Sequence, residues 1–437
     1  MTTAVMAAPA SAPSPWFGQP RGLTILFLTN MWEQFSYFGM RALLVFYMTK
    51  ELLLSQERSS FIYGAYTACA YFTPIVGGVI ADRYLGKRRA VIAGASIMAV
   101  GHFMMAFEPL FYVALATIAL GNGLFLPSLP SQINDLYAAD DPRRGWAYNV
   151  YYLGINVGGF LAPLICGTLG ELYGWHYGFA AAGIGMVAGL VIYVAGRRYL
   201  PPEPDRGKAA RAAAGHSMSL GRSTLALLVA VALCVTLFRG AYEQVGNTVA
   251  LWTDTGVDRT ISGYVVPMTW FISLNPLLVM LMTPFLLARW RRRAEAGHVS
   301  PAARKMAMGA LIVAAAYLLL AAAAWTAGSG RADWPWLVAF FVVFTLGELY
   351  ILPTGLGLFA RVAPPGAGAT TVAAWYLAIF AGSLSAGLVG TFWSSMPRPV
   401  YFAMLAAIAA AAALLLGCLN PLEKRIEAER RGAGEND

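Results

Sequence analysis

Apolar runs of about helical membrane length recur along this chain, and they constrain its fold more than any other feature. A bilayer's hydrocarbon core is crossed by roughly 20 mostly apolar residues. The stretches 303–327 and 400–419 meet that length with ease. Only 12% of the 437 residues are charged, against about 25% in a soluble domain. That is too few to cover a water-facing surface of this size. Twelve spans are predicted, near 23–49, 60–82, 90–108, 110–137, 146–170, 176–198, 222–252, 261–288, 304–327, 335–361, 368–394 and 399–419. The breaks between them carry turn chemistry: Asp140-Asp141-Pro142, Pro201-Pro202 and Ala363-Pro364-Pro365-Gly366.

The basic residues orient these spans. With the N-terminus inside, 24 of the 31 Lys and Arg fall in cytoplasmic segments, five in outer segments, and two, Arg41 and Arg239, inside spans. Positive residues favour the cytoplasmic side. A miscounted span would flip the parity and spoil the alternation. We therefore expect a multi-pass protein of the cell (inner or plasma) membrane with both termini cytoplasmic. The net charge of +9 is accounted for by these loops, without a nucleic-acid partner.

The expected organisation is an all-α membrane protein. A disordered tail (1–20) precedes a six-helix bundle (21–198), a cytoplasmic linker (199–223), a second six-helix bundle (224–420) and a cytoplasmic tail (421–437). The first tail is rich in Ala, Pro and Ser and has no basic stretch ahead of an apolar one, unlike a signal peptide. The linker divides the spans six and six and is too short to hold two more. Two such halves around a midplane site are a common transporter build.

Ionisable residues inside spans cost roughly 2.5–3.5 kcal/mol each on insertion scales and usually mark a pathway. Five stand out: Glu33, Arg41, Arg239, Glu243 and Glu348. Arg239 and Glu243 are four apart and share a helix face. They form either an ion pair that lowers insertion cost, or a switch in which protonation of Glu243 frees Arg239 for an anion. Pro127, Pro130, Pro267, Pro276 and Pro353 are candidate helix breaks of the kind that line cavities. Asn156, among Gly154, Gly158 and Gly159, needs a hydrogen-bond partner. Cys69, Cys166, Cys234 and Cys418 lie in apolar runs and read as packing residues. His102 reads as a buried packing or hydrogen-bonding residue. The four His lack metal-ligand spacing, and no catalytic set, metal site or cofactor is expected.

The first span, Asn30-Met-Trp-Glu33-Gln34-Phe35-Ser-Tyr37-Phe38-Gly39-Met40-Arg41, resembles the opening helix of the proton-dependent oligopeptide transporter family. That family is a branch of the major facilitator superfamily, and its helix carries a Glu-x-x-Glu-Arg-Phe-x-Tyr-Tyr-Gly pattern. Gly77 through Asp82-Arg83 to Gly86-Lys87-Arg88 is similar to the superfamily's loop motif. Tyr151 through Gly154-Ile-Asn156-Val-Gly158 resembles the fifth-span signature. Glu243-Gln244, Asn275-Pro276, Gly347-Glu348-Leu349-Tyr350 with Pro353, and Trp375 continue the likeness through the second half.

The resemblance implies twelve helices in two six-helix halves, alternating access, and proton-coupled uptake of di- or tripeptides by a monomer. It implies a peptide amine held by Glu348, Asn156 and Asn275, a chemistry in which a carboxylate offsets an ammonium and amides complete its hydrogen bonds. Arg41 would face the peptide carboxylate. Tyr37, Tyr71, Trp270 and Trp375 would line the pocket. Asp82, Arg83 and Arg88 would form a conformational latch. For proton coupling the residues themselves leave Glu33, Glu243 and Glu348 as candidates, with Glu243 favoured because a desolvated carboxylate beside a movable Arg239 suits a switch.

Three positions depart from the pattern: Asn30 stands for its first Glu, Gln34 for its Arg, and Leu126 for a fourth-span Lys. In the family these groups are tied to coupling and to the substrate carboxylate. The joint loss suggests that the carboxylate end has been rebuilt: either Arg41 and Arg239 bind the substrate carboxylate in a new place, or the substrate's carboxylate is modified or absent. A facilitator or exchanger of another amine-bearing solute, and a non-transporting sensor of the same fold, are the competing readings.

Overall fold

The computed structural model describes residues 18–137, 141, 143–202, 222–298, 300–362 and 368–426. Most of the predicted linker, much of both tails, and the turn residues Asp140, Pro142 and 363–366 lie outside them. Among the described residues twelve long helices occur, one for each predicted span. They are α1 (Arg21–Phe46), α2 (Gln56–Ile80), α3 (Lys87–Met104), α4 (Phe111–Asp135), α5 (Arg143–Ala162) and α6 (Trp175–Gly196). The second set is α7 (Arg222–Tyr242), α8 (Leu274–Glu295), α9 (Ala302–Ala327), α10 (Pro335–Val362), α11 (Gly368–Thr391) and α12 (Arg398–Cys418). Their even number brings α1 and α12 to begin and end on one face, here called the terminal face.

Ten of these segments are long and apolar enough to cross a membrane on composition alone. The other two are α1, interrupted by Asn30, Glu33, Gln34 and Arg41, and α3, which opens Lys87-Arg88-Arg89. Helix α1 tolerates its polar residues because α5 and α6 pack along it, leaving Glu33 only 1% exposed. A polar helix inside the bundle escapes the cost of facing lipid.

The chain folds into two bundles. In the first, α1 packs on α5 and α6, and α3 on α4 and α6. In the second, α9 sits between α10 and α12, and α11 lies on α7. One continuous apolar cluster, from Leu227 to Ile426, fills the second bundle, and two clusters fill the first. The segment after α12 docks through Glu423, whose buried carboxylate accepts the Ala302 and Ala303 backbone N–H groups at 2.8 and 2.7 Å. It thereby satisfies two orphan donors at the start of α9.

The bundles meet where α2 crosses α11 and α5 crosses α8. The α2–α11 backbones touch: a Cβ on Gly64 would fall 2.4 Å from Gly387 Cα. Most polar links between the bundles lie toward the face opposite the termini. Gln56 donates to the Gly390 carbonyl at 2.9 Å, Ser60 to Asn247 at 3.0 Å, and Ser273 to the Phe160 carbonyl at 2.9 Å. Lys50 pairs with Asp254 at 2.5 Å. Glu171, beyond the end of α5, accepts the Met268 and Thr269 N–H groups ahead of α8, each at 3.0 Å. The molecule is closed on this face.

Two span boundaries differ from expectation. The eighth span begins near residue 268 rather than 261, because Thr260–Ile261 and Tyr264–Val265 pair as a hairpin. Ser262 and Gly263 at its tip both have positive φ, as a tight two-residue turn requires. The seventh span is broken without a proline. Helix α7 passes into a tight turn at Glu243–Gly246 and resumes as Thr248–Thr255.

Candidate functional site

A cavity of about 190 Å³ lies between the bundles, walled by α1, α2, α5, α7, α8 and α10. Its polar lining comes from Arg41, Tyr63, Tyr71, Tyr152, Asn156, Arg239, Tyr242, Glu243, Asn275 and Glu348. Tyr152, one turn nearer the terminal face than Asn156, is 42% exposed. With the inter-bundle polar links gathered on the opposite face, the cavity's open side is the terminal one.

One end of the cavity is a carboxylate held by neutral donors. Asn275 on α8 donates to Glu348 Oε2 at 2.6 Å and to Thr345 Oγ1 at 3.0 Å. The Tyr242 hydroxyl donates to Glu348 Oε1 at 2.7 Å. Asn156 donates to the Tyr152 carbonyl on its own helix at 3.0 Å. Glu348 has no ion-pair partner among the described residues, which leaves its carboxyl group free to take a ligand cation.

The other end is a triad in which Glu243 and Arg239 are buried and Arg41 is part-buried. Glu243 sits where α7 breaks, and each of its carboxylate oxygens takes one arginine: Arg41 from α1 and Arg239 from the preceding turn of α7. Arg41 also donates from Nε to Tyr63 at 2.7 Å. The Arg239 guanidinium lies 5.1 Å from the Tyr71 ring centre and 5.3 Å from that of Tyr242. Both are favourable cation–π distances. A Cβ on Gly382 would come within 2.6 Å of the Arg239 Cβ, so α11 makes room for this side chain.

The structure brings Arg41, Tyr71, Asn156, Asn275, Glu348, Glu243 and Arg239 to one cavity. Tyr37 is buried behind it, with its ring 6.0 Å from the Arg41 guanidinium. Trp375 and Trp270 are off the cavity wall. Trp375 packs edge-on against Phe359 and fills the space beside Gly355. Trp270 lies in the short helix ahead of α8 and donates to Thr168 at 2.7 Å. Glu33 is also off the wall, buried and hydrogen-bonded by Gln34 at 2.6 Å. Asn30 donates to the Tyr151 carbonyl at 3.1 Å, so this departure from the expected Glu ties α1 to α5.

At the terminal face Asp82 and Arg83 are exposed, whereas Arg88 donates to the Leu200 and Pro201 carbonyls within the first bundle. Lys87 pairs with Asp135 at 2.7 Å. Cys69 and Cys418 are exposed rather than packed, while Cys166 and Cys234 are buried. His102 is buried, and neither ring nitrogen has a hydrogen-bond partner among the described residues. Sequence reasoning missed Tyr242, Tyr63 and the break at Gly246-Asn247. Tyr242 adjoins Glu243 in sequence, but nothing local shows that it turns toward Glu348.

Two helical bundles around a charged cavity closed on one face define a secondary-transporter architecture. The sequence matches the model of the POT family (PTR2) over residues 88–222 and 210–404. It is 30% identical to a di-/tripeptide transporter of Lactococcus lactis subsp. cremoris over 83% of this chain and 87% of that one. It is 29% identical to the uncharacterized transporter YclF of Bacillus subtilis over 94% and 95% of the two chains. Among solved structures it is similar to the peptide transporter POT in complex with sulfate, at a TM-score of 0.86 and 28% identity, over 94% of this chain and 97% of that one. A variant of that transporter in complex with alafosfalin superposes at a TM-score of 0.85 over the same shares, again at 28% identity.

The chain belongs to the POT family, with the major facilitator fold. It is a multi-pass membrane transporter and not an enzyme.

Proposed function

We propose that this protein is a proton-coupled importer of di- or tripeptides or peptide-like solutes, working by alternating access with both termini cytoplasmic. The observation that carries the reading is Glu348, a cavity-lining carboxyl group whose hydrogen bonds come from the neutral Asn275 and Tyr242. A substrate ammonium completes that arrangement, with Asn275 and Asn156 beside it. The peptide transporters among its relatives support the same class of solute.

Proton coupling follows from the triad. Glu243 joins α1 of one bundle to α7 of the other through Arg41. Protonating it removes the charge that holds that link, on the closed face's side of the cavity. A coupling group has to change protonation as the protein cycles, and Glu243 is placed to couple its charge to the separation of the bundles. With the basic loops cytoplasmic, the cavity opens inward and the closed face is the outer one. The two halves, 21–198 and 224–420, then rock about the cavity, with Asp82, Arg83 and Arg88 engaging in the opposite state.

The test is uptake of a labelled dipeptide into proteoliposomes with an imposed pH gradient, acid outside. Uptake above the level without a gradient is expected, and lost in Glu243→Gln. Uptake that ignores the gradient would point to a facilitator, which the neutral residues Asn30, Gln34 and Leu126 favour. No uptake or binding of any peptide would sink the reading.

A further inference from the structure

Arg239 makes fewer contacts than a buried guanidinium requires. It is 2% exposed. Both of its hydrogen bonds run from Nη2, to Glu243 and, at 3.4 Å, to Ser383. Its Nε is buried with no hydrogen-bond partner among the described residues. An arginine carries five N–H donors in a fixed fork, and leaving a buried charged donor unpaired is expensive. Arg239 nevertheless lines the cavity, fixed between the Tyr71 and Tyr242 rings. The triad also holds two cations against one carboxylate, so it keeps a unit of positive charge. The first bundle's cation at the cavity, Arg41, is committed to Glu243 and to Tyr63, while Gln34 and Leu126 are neutral.

We infer that Arg239 is the docking point for the acid end of the substrate, and that it confines the substrate to zwitterions of dipeptide length or shorter. The inference rests on the peptide reading above and narrows it. The substrate carboxylate takes the donors that Glu243 leaves free or gives up, and forms the paired contacts that a guanidinium fork favours.

The length limit comes from Tyr242, which touches both ends of the site. The Arg239 guanidinium carbon is 5.3 Å from its ring centre and Glu348 Oε1 is 2.7 Å from its hydroxyl, so the two charged groups are at most about 11 Å apart. A charge-assisted contact at each end takes about 2.8 Å. The remaining 5–6 Å, roughly, is an upper limit that a dipeptide, at about 3.5 Å per extended residue, already fills, and a third residue adds about 3.5 Å more. Arg239 and Glu348 both belong to the second bundle. A dipeptide would therefore be gripped at both termini by one rigid half, with Asn156 and Arg41 closing on it from the other.

The experiment measures binding of dialanine, dialanine amide and trialanine to the purified protein by competition against a labelled dipeptide, in wild type, Arg239→Gln and Arg239→Lys. In wild type, dialanine is expected to bind about tenfold or more tighter than its amide and than trialanine. In Arg239→Gln the dialanine-to-amide ratio collapses to within about twofold, and Arg239→Lys, which keeps the charge but not the fork, retains part of it. A ratio unchanged in Arg239→Gln overturns the assignment. So does an unchanged ratio in Arg239→Lys combined with a Gln variant that does not fold, because the fork is then irrelevant. Trialanine binding as tightly as dialanine overturns the length limit. If wild type binds none of the three, the peptide reading itself falls.

Discussion

Glu171 caps Thr269 across the boundary between the bundles: its carboxylate accepts the Thr269 backbone N–H at 3.0 Å and its hydroxyl at 2.6 Å. An anion at a helix N-terminus is stabilised by the unpaired N–H groups and the helix dipole, by about 0.3–2 kcal/mol. Here the anion and the helix belong to different bundles, so the contact exists only while this face is closed. Glu171→Gln is expected to weaken closure and shift the population toward the open form by several-fold. Spin-label distances across the face, or labelling of a cysteine introduced behind it, measure this. An unchanged distance distribution would show that the cap is incidental.

The α2–α11 crossing offers a second lever on the same equilibrium. Gly64 has no space for a Cβ against the Gly387 backbone, so Gly64→Val forces the helices apart when the face closes. Gly64 does not line the cavity. Transport is expected to fall by an order of magnitude or more, while substrate binding from the open side persists. Loss of binding together with transport would argue for misfolding instead.

Removing the shared carboxylate should be costly. Glu243→Ala strands the buried Arg239 and the part-buried Arg41, and breaking a buried ion pair by deleting one partner typically destabilises by about 3–5 kcal/mol. Glu243→Ala/Arg239→Gln removes one of the stranded charges and should recover part of that loss. Thermal melts of both variants in detergent check this. A double variant no more stable than the single one would mean that the triad is not energetically coupled.

Substrate affinity should fall when the carboxylate end is neutralised. Glu348→Gln loses a charge-assisted contact worth about 1.5–3 kcal/mol, roughly tenfold to a hundredfold and more in affinity. Tyr242→Phe removes only one neutral donor to that carboxylate, and several-fold is expected. Competition binding separates the two, and equal effects would place the ammonium elsewhere.

Glu423 offers a test away from the cavity. Glu423→Ala leaves the Ala302 and Ala303 N–H groups uncapped and is expected to cost about 1–2 kcal/mol. The melting temperature should drop with substrate affinity unchanged.

The sequence by itself determined the number, length and orientation-setting charge of the helices, because hydrophobic length and loop charge are properties of short stretches. It also singled out Glu348, Asn156, Asn275 and Glu243, through motifs lying on single helices. Arg239 and Glu243 could be paired from their spacing alone.

Only the tertiary structure decided that Arg41, 202 positions away from Glu243, completes the triad, that Tyr242 reaches Glu348, and that Trp375 and Trp270 turn away from the cavity. Those outcomes depend on the rotation and depth of each helix against its neighbours. That arrangement is set by close contacts such as Gly64 on Gly387, and by a helix break at Gly246-Asn247 that no proline announces. In a chain whose helices are apolar nearly all round, periodicity alone does not say which face looks inward. Packing chose the faces, and with them the residues that meet the substrate.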